Sequence, residues 1–452
     1  MTKSLKNLWG RFLFRGKGIL PTKRLIVLII AVSLSLIVVT VWNKSLLFVI
    51  GVDTLVLLLS LVDLAVIPSK HAFHFNRTIP AELERGLTYS VQVKIKNLSN
   101  RPISYRFIDG LPQSFKKVNP VFGKVEKEET MVVSYQIIAP VRGKYQITNL
   151  HFRFSSMLGL WEKQFTVELE DTVKVIPDLT DTKQYLESAQ RFLQYEGTII
   201  RKRQKGVGEF AKIRNYVVGD DPRKINWRQT AKLQEVMTNE YEPEHGKYIT
   251  ILIDCGRMMG AELKVGNRLE KALEAVLTVA AAALKKGDYV SVLAFSKDIK
   301  MYVPPAKGME HLQKILQAIY NLQVDANESN YAAVFQYLES VQKKRSLILL
   351  FSDVHTFLHE ETTLIFLKRL RLRHLFFMIG IEDHTLLQRV KDEPRNVQIA
   401  MMKSIAQQQQ QIKKREKNKW EKQGLQMIEA KEEQLAIAAV SYYIDTMNRD
   451  LL

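Results

Sequence analysis

The chain divides into a pair of apolar helices, an antiparallel β-sandwich and an open α/β sheet, and three observations point to this order. Two apolar runs, Leu25 to Trp42 and Leu46 to Ile67, are separated only by Asn43, Lys44 and Ser45. After Pro68 the apolar pattern changes to period two, and after Lys247 it changes again, to short apolar runs alternating with helical stripes. A length of 452 residues suits several domains, and 46% hydrophobic with 25% charged residues is the composition of folded protein.

Each apolar run has about the length that crosses a bilayer as a helix. So short a link makes 25–67 an antiparallel transmembrane hairpin. Lys3, Lys6, Arg11, Arg15, Lys17, Lys23 and Arg24 form a basic arm over 1–24 with no acidic residue, and Lys70, His71, His74 and Arg77 follow the second run. Positive charge at both outer ends expects both termini on the cytoplasmic side, with membrane lipids as a partner. A signal peptide is the rival reading, but the first run is long for one and no small-residue cleavage site precedes the second. The single cysteine, Cys255, excludes an intrachain disulfide. Asp53 falls at about the depth of Ser33 and Ser35, whose hydroxyls could bond it. Asp63 is expected to reach toward Lys70.

Residues 70–180 carry the period-two pattern. Ser90–Lys96, Val132–Ile138 and Lys144–Phe154 alternate apolar with polar side chains, and Phe165–Leu169 and Thr172–Ile176 close the region. Short strands with one buried face predict a small antiparallel sandwich of immunoglobulin-like type. It lacks a cluster of catalytic residue types and reads as a scaffold.

Residues 247–452 alternate strand and helix. Tyr248–Ile253, Tyr289–Phe295, Leu347–Phe351 and Leu375–Ile381 have the length of buried strands, while Arg268–Lys285, His311–Tyr320 and Tyr331–Val341 carry helical spacing. An open, largely parallel sheet puts its ligand site outside the carboxyl ends of the strands, where Asp254 and Asp353 fall. Leu425–Ala430 adds an edge strand, and Leu435, Ala438, Ala439, Tyr442 and Tyr443 form a stripe that docks a last helix. The glutamine- and lysine-rich stretch Ala406–Gln423 reads as an exposed helix and an accessible partner surface.

The connecting segment, 181–246, is the densest in polar chemistry. From Gly206 to Glu244 it packs Glu209, Arg214, Asp220, Asp221, Arg223, Asn226, Trp227, Arg228 and Thr230 into one short stretch, unlike a flexible linker. A charge-paired lock between the two soluble domains, or a partner-docking surface, accounts for all of them, with Trp227 as a buried apolar anchor. An enzyme reading would instead make Glu209, Asp220 and Asp221 acids, bases or metal ligands of a hydrolase. No Walker A loop, His-Glu-x-x-His, Gly-x-Ser-x-Gly or Cys-x-x-Cys motif is present, so the chain is expected not to be an enzyme. The net charge of +19 gathers in the amino-terminal arm, in Lys413–Lys422 and in Arg201–Lys205. The last of these lacks interleaved aromatics, so nucleic acid is not expected as a partner, although an anionic lipid or nucleic-acid binder stays as an alternative.

The order Gly206-Val207-Gly208-Glu209-Phe210, Arg214-Asn215-Tyr216, Gly219-Asp220-Asp221-Pro222-Arg223-Lys224-Ile225-Asn226-Trp227, Thr230-Ala231 resembles the signature of the bacterial domain-of-unknown-function family number fifty-eight. Pro140–Tyr145 and Gly159-Leu160-Trp161 match further segments of that family. A bacterial source makes the expected membrane the inner one. The placement of Asp254 and Asp353 resembles the von Willebrand factor type A domain, whose metal site uses Asp-x-Ser-x-Ser, a Thr and a later Asp. The matching positions here are Asp254, Gly256, Met258, Ser329 and Asp353, so the two first-loop serines are missing. Magnesium wants near-octahedral oxygen ligation. The expectation is therefore at most a weak or partner-completed magnesium site at Asp254, Ser329 and Asp353, or carboxylates that cap helices and bond loop amides. The resemblance also implies a partner, a MoxR-type AAA+ ATPase, and the role of a membrane-anchored adaptor or scaffold.

Overall fold

The computed structural model describes residues 18–43, 46–156, 158–196, 209–242, 246–360 and 363–449. The basic arm up to Lys17, the run Arg201–Lys205 and Gly206–Gly208 lie outside them. The chain forms two compact units, Met1–Ile176 and Pro177–Leu452.

The first unit begins with β1 (Ile19–Pro21), α1 (Lys23–Asn43) and α2 (Leu46–Val66). It continues with β2 (Phe73–Thr78), β3 (Glu82–Glu84), β4 (Thr88–Asn97), β5 (Ile103–Asp109), β6 (Val121–Val125), β7 (Thr130–Ile138), β8 (Gly143–Ser155) and β9 (Trp161–Ile176). One sheet runs β1-β9-β8-β5-β6 with β3 also on β9, and the second runs β2-β4-β7. The period-two reading holds in β4, where Val91, Val93, Ile95 and Asn97 are buried and the residues between them exposed. Phe73, Phe152, Phe154 and Phe165 fill the core between the sheets. Neither sheet closes on itself, and β3 pairs with β9 in parallel, a departure from the wholly antiparallel sandwich expected.

The expected transmembrane hairpin requires correction. Both apolar runs are helical, but among the described residues no helix is long and apolar enough to cross a membrane. The assignment to the bacterial inner membrane, with two spans and cytoplasmic termini, falls with that finding. Apolar side chains such as Leu34, Leu55 and Leu59 are exposed.

Both carboxylates of the second apolar run have partners. Ser33 Oγ donates to Asp53 Oδ2 at 2.9 Å, as its depth suggested. Asp63 does not reach Lys70. It is buried and accepts from the Ser156 hydroxyl and from the amides of Leu160 at 3.0 Å and Trp161 at 3.3 Å. Trp161 Nε1 donates to Ser60 Oγ at 3.1 Å. The Gly159-Leu160-Trp161 motif is thus the turn that receives the end of α2, and Gly159, at φ +66°, supplies the left-handed residue it needs.

Arg77 also differs from expectation. It lies within the sandwich and does not flank a span. Its guanidinium donates to Asp109 at 2.6 Å, to Asp171 at 2.7 Å and to the carbonyls of Ile147 and Leu169 at 2.5 and 2.6 Å. Tyr135 donates to the other oxygen of Asp109. Arg77 and Tyr135 sit on the three-stranded sheet and the carboxylates on the other, so the network ties the two sheets together.

The second unit opens with α3 (Thr180–Glu196), followed by β10 (Glu209–Asn215), α4 (Trp227–Leu233) and β11 (Met237–Glu242). Then come β12 (Tyr248–Asp254), α5 (Arg268–Lys286), β13 (Tyr289–Phe295), β14 (Ile299–Ala306), α6 (Met309–Ile319), α7 (Tyr331–Val341), β15 (Ser346–Phe351), α8 (Val354–Leu358), α9 (Thr363–Arg371) and β16 (Leu375–Ile381). The unit ends in α10 (His384–Lys391), α11 (Val397–Lys422), β17 (Gln426–Ala430) and α12 (Leu435–Asn448). Its large sheet has the order β14-β13-β12-β15-β16-β17. Every neighbouring pair is parallel except β13 with β14. β14 was not predicted, because Pro304 and Pro305 disguise it; an edge strand tolerates proline. The chain order reverses at β12, between β13 and β15, and crevices at such reversals receive ligands in open α/β sheets.

Candidate functional site

Two places carry the polar chemistry singled out in the sequence. The signature segment folds as β10 and β11 paired in a two-stranded antiparallel sheet, with a one-turn helix at Pro222–Lys224 and α4 between them. Arg214 grips Asp220 with two parallel bonds, at 2.8 and 2.7 Å, and its Nε lies 3.6 Å from Glu240. Asp220 also accepts from the Val217 amide at 3.0 Å, closing a turn. The bonds from Arg214 and from that amide hold the Asp220 carboxyl below the usual carboxylate range. Asp221 caps the one-turn helix through the Arg223 amide, and Asn226 caps α4 through the Gln229 amide while donating to Asn239. Thr230 Oγ1 accepts from the Met237 amide, fastening α4 to the strand that follows.

This geometry corrects one expectation. Among the described residues, the partners of Arg214, Asp220, Asp221 and Asn226 all lie within the segment itself. Trp227 is not a buried anchor, since 70% of it is exposed. Asn226 caps α4 at the position just before it, and Gln229 and Thr230 face inward, which turns Trp227 outward with Arg228, Ala231 and Lys232. Arg223 is exposed as well. The side chain of Glu209 lies outside the described residues.

The second place is the sheet's reversal point. Asp254, at the end of β12, is 2% exposed. One carboxylate oxygen accepts from the Ser329 hydroxyl and the Gly256 amide at 2.8 Å, the other from Ser352 at 2.5 Å and Tyr331 at 3.1 Å. Burial nevertheless pushes its carboxyl up, against the opposing pull of these four donors. Asp353, at the end of β15, accepts from the Arg268 guanidinium and caps α8 through the amide and hydroxyl of Thr356 at 2.9 and 2.8 Å. The structure therefore brings Ser329 onto Asp254, as the spacing suggested, and gives Asp353 a cap and an ion pair.

A magnesium ion does not fit this donor set as it stands. The four donors consume the lone pairs with which Asp254 would ligate a cation, and the positive charge beside Asp353 is already Arg268. Gly256 answers to the same packing, because a Cβ there would come within 2.0 Å of Ser329 Oγ. Met258 is partly exposed and offers no oxygen.

Sequence reasoning missed Arg268, Tyr331 and Ser352. Ser352 adjoins Asp353, and Tyr331 lies two residues beyond Ser329, so both were in reach of a search for hydroxyls around the two aspartates. Arg268 opens a helix, which disguised it as a surface charge.

One relative is Uncharacterized protein YeaD of Bacillus subtilis (strain 168), 23% identical over 261 residues, which are 56% of this chain and 63% of that one. The chain thus spans less than two thirds of that relative. Among solved structures, the conserved hypothetical protein BatB from Bacteroides thetaiotaomicron is 13% identical, covering 45% of this chain and all of that one at a TM-score of 0.30. A PapD-like domain of human CEP192 is 12% identical over 24% of this chain and 89% of that one, at a TM-score of 0.18. Scores this low bear on neither fold nor function. Residues 212–414, which hold most of the signature segment and the whole reversal point, match the family described as Protein of unknown function DUF58.

Proposed function

We propose that the protein is a non-enzymatic adaptor or scaffold, and that the signature segment is its partner-docking surface. A MoxR-type AAA+ ATPase is the partner class proposed. The observation that carries this reading is Trp227, exposed on a segment whose carboxylates and Arg214 hold one another in place. Exposure of a large aromatic ring on a firmly framed helix is a feature of binding hot spots, where Trp and Arg are enriched. The hydrolase reading needs a carboxylate free to ligate a metal or move a proton. Asp220 instead has both oxygens committed to Arg214, and Asp221 is a helix cap.

The test compares Trp227→Ala with the parent chain in two measurements, denaturant unfolding and identification of the proteins that co-purify. Stability should change by less than about 0.5 kcal/mol, as for an exposed residue, while association with the ATPase is lost. Unchanged association at unchanged stability sinks the docking reading.

A further inference from the structure

We propose that the outward face of α4 receives an acidic segment of its protein partner, one that carries an apolar side chain among its carboxylates. The inference rests on the docking reading above and adds the chemistry of the partner. α4, Trp227–Leu233, contains no acidic residue. Trp227, Arg228, Ala231 and Lys232 are all exposed on it. The described acidic groups of the segment have partners of their own. Asp220 and Glu240 sit on Arg214, Asp221 is a cap, and Glu235 accepts from Asn215. Arg223, Arg228 and Lys232 make no ion pair among the described residues. A face that is cationic around one aromatic ring is complementary to carboxylates around an apolar group, and long-range attraction speeds their encounter.

Nucleic acid would also meet the cations, but the other exposed apolar groups of the segment argue against it. Val217, Val218, Leu233 and Val236 are between 44% and 97% exposed, and aliphatic side chains offer a base no stacking surface. They do offer contact area to an apolar protein side chain.

The experiment uses the full chain and three fluorescent probes: a short peptide of Asp and Glu around two leucines, the same peptide with Ser and Asn for the acids, and a single-stranded oligonucleotide. Anisotropy should report binding of the acidic peptide, weakened about tenfold or more by Trp227→Ala and by the double variant Arg228→Glu, Lys232→Glu, and weakened by added salt. The double variant should instead bind a version of the peptide with Lys in place of the acids, which shows that the charge-swapped face is still folded. Equal binding of the neutral peptide, tighter binding of the oligonucleotide, or no binding of the acidic peptide overturns the proposal. If the double variant keeps the ATPase while Trp227→Ala loses it, docking stands and the acidic chemistry falls. If neither variant affects the ATPase, the docking reading itself has failed.

Discussion

Arg77 with Asp109 and Arg214 with Asp220 are the same chemical pair at nearly the same distance, 2.6 and 2.7 Å, in opposite surroundings. Both side chains of the first are fully buried between two sheets, whereas those of the second are 36% and 23% exposed. Water screens the second pair and competes for its hydrogen bonds, so it holds a local shape at little net energy. The first has exchanged water for five protein hydrogen bonds, and removing one member strands the other. Dense charge in sequence therefore marked the energetically lighter site. A segment that contributes little to stability can carry an exposed tryptophan and bind, while the costly pair is confined to the scaffold.

The comparison breaks first at Arg77. Arg77→Ala should cost about 3 to 5 kcal/mol, because the fully buried Asp109 would be left without its cation. Hydrogen exchange of 73–176 in the full chain, together with denaturant unfolding, measures it. A loss under about 1 kcal/mol, the value of an exposed pair, would show that burial does not separate the two sites.

Arg268→Ala ranks next. Arg268 is 10% exposed and Asp353 6%, so the pair is buried, but Thr356 keeps two bonds to the carboxylate. The expected loss is about 3 kcal/mol, at the lower end for a broken buried pair. The same variant probes the metal question, since it removes the cation already in place. Melting of the parent chain should not shift with millimolar magnesium, whereas Arg268→Ala should recover some stability from it. The double change Gly256→Ser, Met258→Ser, which on sequence alone would restore two ligands, should instead lower the melting temperature, because the new Cβ displaces the Ser329 hydroxyl from Asp254. A magnesium-dependent gain in that double variant would reverse the steric argument.

What was legible in the sequence follows periodicity. The four central strands of the large sheet appear within a residue or two of their predicted ends, since apolar runs of strand length bounded by polar residues have few other uses. β17 and α12 were read for the same reason. Ser329 beside Asp254 was also legible, from loop positions relative to strand ends. Arg77, Asp63 and Arg268 were misread or missed, because periodicity does not reveal which distant carboxylate or amide meets a given side chain. Arg77 and Asp63 both looked like groups at a membrane border and proved to be internal ties of the first unit. Trp227 failed for a different reason. A tryptophan among charges reads as an anchor, and only the register set by the Asn226 cap shows that it points outward.

Asp254 and Asp220 shift in opposite senses, which gives the comparison a pH axis. Asp254 is raised above the ordinary 3.8 by burial, so between 3.8 and the folded value the native state binds more protons than the unfolded chain. Its contribution is complete below 3.8 and is lost as pH rises through the folded value. Asp220 is lowered from 3.8 by Arg214, so its contribution is present above 3.8 and is lost as pH falls. Asp254→Asn should therefore flatten the decline in stability above about pH 4. Denaturant unfolding between about pH 4 and 7 reads the slope; an unchanged slope would assign the decline to another group.

The smallest expected effect is at Arg214. Arg214→Ala should cost far less than Arg77→Ala, since both partners stay solvated and Asp220 keeps the Val217 amide. It should nevertheless matter for binding. Asp220 and Glu240 would be left without Arg214, and two freed carboxylates would lie on the segment that presents Arg223, Arg228 and Lys232. A near-normal unfolding curve with weakened capture of the acidic peptide would separate the framing role of Arg214 from any role in stability. A loss as large as that of Arg77→Ala would mean that the segment is buried against something in the working protein, and the contrast between the two pairs would vanish.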